Sequence, residues 1–424
     1  MSVKKKDIIN PAGSRNLLFA ICVICYAFGG YFSTLMPVYL PVVVKELMAD
    51  VSADDLNEVS AYIGSMFLLG WTFGGILFGF LGDHIGRIRA FVIAVSLYAV
   101  LNILISFSDS WQIVILLRFF SGLGVGGTLV LATILVAEIW PAKSRAIALG
   151  ILAVTFPVGI ISTGIANNFF SDWRMAFLPG FIPLAAAFTA LILIRESKEW
   201  IQLKQESLDT EQPSKYLALF ESHNKKNLIQ GSLIFGSMII GLWAIFSWMP
   251  TWVQSLFPDP GQGQAERGIT MMILGSGGIV GGSLSGFLIN YLGHRKTLLI
   301  TFAGCFVMCF IIFKTNQTFS TVIYPECAFL ALFFGISQGT LSSYLPELFP
   351  TKIRATATGF CFNIGRLATA IVVFFVGALV HVMGGYGNAV LVFSITFLIG
   401  LLVTFYSPEA VAHSDSSLSL KENL

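Results

Sequence analysis

The sequence predicts an all-α membrane protein: twelve transmembrane helices in two pseudo-symmetric six-helix bundles. Three observations predict it. The 424-residue chain is 55% hydrophobic and 11% charged, where a soluble domain carries about 25% charged residues, and its mean hydropathy is +0.80. Twelve apolar stretches each approach the ~20 residues that a bilayer core demands. A charged segment is also written twice. Residues 138–150 read Glu-Ile-Trp-Pro-Ala-Lys-Ser-Arg-Ala-Ile-Ala-Leu-Gly and residues 347–359 read Glu-Leu-Phe-Pro-Thr-Lys-Ile-Arg-Ala-Thr-Ala-Thr-Gly. Seven of the thirteen positions are identical, at an offset of 209 residues, so the second half repeats the first.

The spans follow in order. The first, 17–44, is an apolar run of about 28 residues behind Lys4–Lys6. That is too long for the core of a signal peptide and is expected to stay as a helix. The next five are expected at 58–80, 90–107, 111–137, 146–169 and 175–194, and the second six at 228–255, 269–291, 297–314, 322–344, 355–380 and 386–406. The domain expectation is therefore an N-terminal bundle over 1–194, a cytoplasmic linker over 195–227, a C-terminal bundle over 228–406 and a cytoplasmic tail over 407–424.

Basic residues set the expected orientation. With both termini inside, only Lys45, Arg174, Arg267 and Lys314 fall outside, and Arg118 and Arg366 fall within spans. The rest of the 25 Lys and Arg are cytoplasmic, as the positive-inside rule requires. All six cysteines lie in apolar spans. Cys22 and Cys25 have C-x-x-C spacing, but without polar access they read as small helix residues. No clustered metal-ligand set, cofactor motif or catalytic constellation is visible. A net charge of +2 with no basic soluble domain argues against nucleic acid.

A second repeated segment joins the second and third spans of each half. Residues 79–89 read Gly-Phe-Leu-Gly-Asp-His-Ile-Gly-Arg-Ile-Arg, and residues 286–296 read Gly-Phe-Leu-Ile-Asn-Tyr-Leu-Gly-His-Arg-Lys. Gly82 and Gly86 suit a tight reversal. Gly82-Asp83-x-x-Gly86-Arg87 resembles the signature loop of the major facilitator superfamily. Asp172-Trp173-Arg174, Arg195-Glu196-Ser197-Lys198-Glu199-Trp200-Ile201 and Pro408-Glu409 resemble motifs of its sugar-porter, organic-ion and metabolite–proton symporter branch. Trp248-Met-Pro250-Thr-Trp252 looks more like organic-acid and organic-ion members, and the glutamine pairs of sugar porters are missing from span seven. The resemblance covers about residues 15–410 and implies the major facilitator fold. It also implies two cytoplasmic ion-pair networks that hold an outward-open state. One would involve Asp83, Arg87, Glu138, Arg145 and Glu196, and the other Arg295, Glu347, Arg354 and Glu409.

The remaining charges point to the cargo. Arg366 lies about eleven residues into span eleven, roughly 17 Å deep at 1.5 Å per residue, with Asn363 one turn before it. A charge at that depth is costly and marks function by default. It either contacts substrate or satisfies helix carbonyls. Arg118, in Arg118-Phe-Phe-Ser-Gly122-Leu-Gly124, resembles a superfamily motif linked to coupling or structure, and the same two readings apply. The glycines at 122, 124, 126 and 127 read as helix packing. No Asp or Glu occupies the middle third of a span, so a central cavity would be net positive and suited to a carboxylate. Tyr26, Tyr31, Trp243, Trp248 and Gln338 are the other candidate substrate residues, and Glu326 and His381 are candidate coupling groups.

The expected function is secondary active import of a small organic anion or zwitterion, such as an aromatic acid or amino-acid-like metabolite. Alternating access and proton coupling are expected, in a monomer of the bacterial inner membrane. Organic-ion or drug efflux is the alternative within the class. A nutrient sensor on a transporter scaffold is the alternative outside it, although the linker and tail offer little soluble domain.

Overall fold

The computed structural model describes residues 12–48, 52–196, 200–201, 222–259, 262–350 and 353–409. Most of the expected linker and tail lies outside these residues. The first half comprises α1 (Ala12–Leu47), α2 (Ala53–Ile85), α3 (Arg87–Ile105), α4 (Trp111–Ile139), α5 (Arg145–Phe169), the short α6 (Trp173–Phe177) and α7 (Phe181–Leu193). The second comprises α8 (Ser222–Ser255), α9 (Gln264–Leu292), α10 (His294–Thr315), α11 (Ile323–Glu347), α12 (Arg354–Phe374), α13 (Val376–Met383), α14 (Tyr386–Phe393) and α15 (Ile395–Phe405). Among the described residues twelve helical segments are long and apolar enough to cross a membrane. A helix satisfies its own backbone groups, which hydrocarbon cannot.

Three spans are less regular than their hydropathy suggests. The sixth enters through α6 and a 3₁₀ turn at Leu178–Gly180, where Pro179 removes a donor. The eleventh stops at Phe374, because the backbone tightens at Phe375, whose N–H reaches Val372 O at 3.1 Å. The twelfth is interrupted at Ser394, whose hydroxyl donates back to Leu391 O at 2.6 Å and competes with the regular ladder.

Within each half, glycines let helices approach backbone to backbone. A Cβ on Gly122 or Gly126 of α4 would strike the carbonyls of Phe67 or Trp71 in α2. In the second half Gly281 of α9 stands likewise against Leu332 O of α11. Without a hydrophobic drive between helices in lipid, such close packing is a main source of association.

The halves meet along α5/α9, α1/α8 and α2 against α12 and α13. The contacts concentrate at the end away from the repeated loops. There Asn167 Nδ2 donates to Gln264 O at 2.5 Å, and Gln264 Nε2 donates back to Asn167 O at 2.8 Å. Tyr386 donates to Asn57 Oδ1, and the rings of Tyr62 and Phe374 stack at 4.8 Å. A Cβ on Gly268 would lie 2.7 Å from Gly164 O and 2.6 Å from Asn168 Oδ1. The structure is closed at this end. Gly268→Val is expected to hold the seam apart while leaving each bundle folded. A cysteine introduced at Asn167 should then react several-fold faster with a membrane-impermeant thiol reagent than in the Gly268 parent. Equal rates would contradict the seam.

Candidate functional site

The repeated loops build two matched latches. The chain reverses from α2 into α3 at Gly86 (φ 109°) and from α9 into α10 at Gly293 (φ 81°), a region that side chains rarely adopt. Each glycine also leaves room for a carboxylate. A Cβ on Gly86 would strike the Glu196 carboxylate, and one on Gly293 would come within 2.8 Å of Glu409 Oε1. Glu196 accepts from Ile88 N–H at 3.1 and 3.2 Å, and Glu409 accepts from Arg295 N–H at 3.1 Å. Each acid thus caps the positive N-terminal end of a transmembrane helix.

The other charged residues of the loops fall into place around these caps. Arg87 pairs with Asp83 at 2.6 Å and donates from Nε to Glu138 Oε1 at 3.2 Å. Its counterpart position holds His294, which faces Glu347 at 3.7 Å. Arg145 and Arg354 each donate from Nε to the carbonyl five residues earlier, Trp140 O at 3.4 Å and Phe349 O at 3.3 Å. Each arginine therefore closes the turn of its own repeated segment. Arg295 turns its guanidinium to the carbonyls of Thr404 and Phe405. Trp200, just past the Glu196 cap, donates from its indole to Asp83 O at 2.8 Å. These contacts tie together helix ends of a single bundle.

At mid-membrane a line of aromatic rings crosses from one half to the other. Tyr26 of α1 meets Phe156 of α5 edge-on at 6.4 Å, and Phe156 lies 5.7 Å from Trp71 of α2. Trp71 meets Trp243 of α8 edge-on at 5.2 Å. Trp243 continues to Phe246 and then to Phe334 of α11, at 6.5 and 5.8 Å. Arg366 of α12 lies beside this line. Its guanidinium carbon is 5.9 Å from the Phe362 ring centroid, and Tyr26 is within its electrostatic reach. Among the described residues no carboxylate pairs with Arg366. Asn363, one turn away, faces Gly75 of α2. Gln338 of α11 has its Nε2 buried without an acceptor among the described residues.

Other expected residues lie elsewhere. Arg118 is only 1% exposed, donates to Phe32 O at 2.9 Å and lies 3.8 Å over the Phe67 ring, all within the first bundle. Tyr31 donates to Ala176 O at 2.7 Å. Trp248 packs on Tyr386 at 5.8 Å, at the closed end. Glu326 accepts from Asn316 Nδ2 at 2.7 Å. His381 is exposed on α13. Sequence reading missed Trp71 and Phe156. Trp71 did leave a signal, since a tryptophan in mid-span, followed by Gly74 and Gly75, stands away from the interfacial belt where tryptophans gather.

The family model described as Major Facilitator Superfamily matches residues 17–373. A cis,cis-muconate transport protein of Acinetobacter baylyi is 30% identical over 327 residues, 75% of this chain and 78% of that protein. The sialic acid transporter NanX of Escherichia coli is 27% identical over 94% of this chain and 96% of its own length. The benzoate transport protein of A. baylyi is 23% identical over 98% of this chain and 96% of its own. Among solved structures, an inward-open conformation of the xylose transporter XylE from E. coli matches with a TM-score of 0.78 at 16% identity, covering 94% of this chain and 98% of that one.

The two bonds of Arg87 differ in worth. Asp83 is 63% exposed, and an exposed ion pair contributes about 0–1 kcal/mol. Glu138 is 15% exposed and Arg87 only 10%, where a charged hydrogen bond contributes about 1.5–3 kcal/mol. Arg87→Met should therefore lower the melting temperature clearly more than Asp83→Asn. Equal losses would contradict the ranking.

Proposed function

The chain belongs to the major facilitator superfamily, and from that premise we propose that it is a secondary active transporter moving a small organic anion or zwitterion by alternating access. The observation that carries this reading is Arg366, a mid-membrane guanidinium with no carboxylate partner among the described residues. An unneutralised charge at that depth is costly, and a carboxylate answers it with a forked match. Arg118 does not compete for the role, because a backbone carbonyl and a ring already engage it. The aromatic line formed by Tyr26, Phe156, Trp71 and Trp243 supplies an apolar wall for a planar body, and Asn363 and Gln338 supply polar groups. Organic-ligand sites have this composition, mostly apolar with a few placed polar atoms. Relatives named for muconate, benzoate and sialic acid, all carboxylates, support the same class.

The two halves, 1–194 and 228–406, act as rocking units joined by the 195–227 linker. The repeated latches sit on the cytoplasmic side with both termini. The end sealed by Asn167, Gln264, Asn57 and Tyr386 faces outward, so the arrangement described here is closed to the outside. The protein works as an importer in the bacterial inner membrane, with protons as the coupling ion.

The test is a thermal-shift screen of purified protein against aromatic and aliphatic carboxylates and their amine counterparts, repeated on Arg366→Ala. A bound ligand stabilises by about 2.7 kcal/mol at a hundred times its Kd. Carboxylates should stabilise the parent, and the variant should lose at least tenfold in affinity. Hits that are mainly cationic, or carboxylates that bind the variant equally well, would overturn the reading.

A further inference from the structure

Two arginines mark the closed end, and they are held differently. Arg174 of α6 pairs with Glu46, and with Asp109 at 3.3 Å. Arg267, one turn into α9, is 3% exposed and has no carboxylate partner among the described residues. Its Nη1 donates to Gln254 Oε1 of α8 at 2.7 Å. Its Nε is buried without an acceptor among the described residues. An amide oxygen is a neutral acceptor, so the charge of Arg267 stays unanswered where water does not reach it.

Part of its cover comes from the other half. Gln264, one turn before it, exchanges hydrogen bonds with Asn167 of α5. A Cβ on Gly268, the next residue, would lie 2.7 Å from Gly164 O. Tyr39 of α1 is within its electrostatic reach. Parting the halves at this end removes these neighbours and leaves Arg267 on the wall of the opening.

The groups around it do not neutralise it. Tyr39 spends its hydroxyl on Ala166 O and Phe170 O, at 3.2 and 2.8 Å. Glu266, the preceding residue, is within electrostatic reach but makes no ion pair with it. Asp172 accepts from the Arg174 N–H at 2.9 Å. A second polar group stands open nearby. Thr251, one turn before Gln254 on α8, is buried, and its hydroxyl has no partner among the described residues.

We infer that Arg267, with the Thr251 hydroxyl, forms an outer capture site for a carboxylate, which the cargo meets before it reaches Arg366. The inference rests on the proposed import of an organic anion through this end. A guanidinium and a hydroxyl supply the donors that a carboxylate accepts. The two arginines then stand in series, one uncovered as the halves part and one at mid-membrane.

The test uses the full chain in proteoliposomes with a cysteine introduced at Gln264. That position is one turn from Arg267, where Cβ atoms lie about 5–6 Å apart. The six native cysteines are all buried. Labelling rates are measured with a sulfonate-bearing and a trimethylammonium-bearing methanethiosulfonate reagent. Their ratio cancels how often the seam opens. A unit charge roughly 6 Å away in water attracts one reagent and repels the other, each by a factor of about three. Arg267→Gln should therefore lower the anionic-to-cationic ratio about tenfold, and Arg267→Lys, which keeps the charge, should not. Sodium benzoate should lower the parent's ratio toward that of Arg267→Gln, and sodium chloride at the same ionic strength should not. Benzoate held at Arg366 alone would slow both reagents alike and leave the ratio unchanged, so the two sites are read separately. A ratio that Arg267→Gln or benzoate leaves unchanged, chloride acting as well as benzoate, or no labelling by either reagent would overturn the inference.

Discussion

The structure turns on the cost of a charge in hydrocarbon. Arg366 sits at mid-membrane without a carboxylate partner among the described residues, and such a charge persists where water, a cavity or a ligand relieves it. Two bundles that part from one side at a time supply that relief, because they expose the midplane to solvent or to cargo without exposing it to lipid. Arg118 shows the contrasting solution. It meets part of the same cost by donating to Phe32 O and lying over Phe67, with its Nε buried without a partner among the described residues. One arginine lies within its bundle, and the other lies near the seam between bundles, where Asn363 one turn away faces Gly75.

Closure of the seam asks for contacts that can form and break. The end away from the loops is sealed by glycine-to-backbone approaches and by a few side-chain hydrogen bonds, Asn167 with Gln264 and Tyr386 with Asn57. Each hydrogen bond contributes only about 0.5–1.5 kcal/mol net, so the sum can be matched by the differential binding of a ligand. The loop-end latches keep each bundle whole. Glu196 and Glu409 cap helices, and Arg145 and Arg354 close turns, all within single halves.

Much of the architecture was legible in the sequence because its signals are local or repeated. The hydropathy of twelve spans and the doubled segments around Glu138 and Glu347 need no knowledge of packing. The equivalence of Gly86 with Gly293 could also be read from alignment of the two halves. Less legible was what depends on helix rotation and on distant partners. Helices apolar on most faces give little periodic signal for which side faces a neighbour, so Trp71 and Phe156 escaped notice while Trp248, at the closed end, drew it. The interruptions at Phe375 and Ser394 arise from local hydrogen bonding that hydropathy does not register. His294 stands in the repeated loop, but its neighbours Ser343 and Glu347 are brought beside it only by the fold.

The proposed recognition of negative charge beside Arg366 is tested most directly by an acid–amide pair. The two members share a ring and a shape and differ in charge. Titration calorimetry on the purified protein should show that an aromatic carboxylate such as benzoate binds at least tenfold more tightly than its neutral amide, a difference of about 1.4 kcal/mol. Equal binding of the two, or tighter binding of the amide, would contradict it.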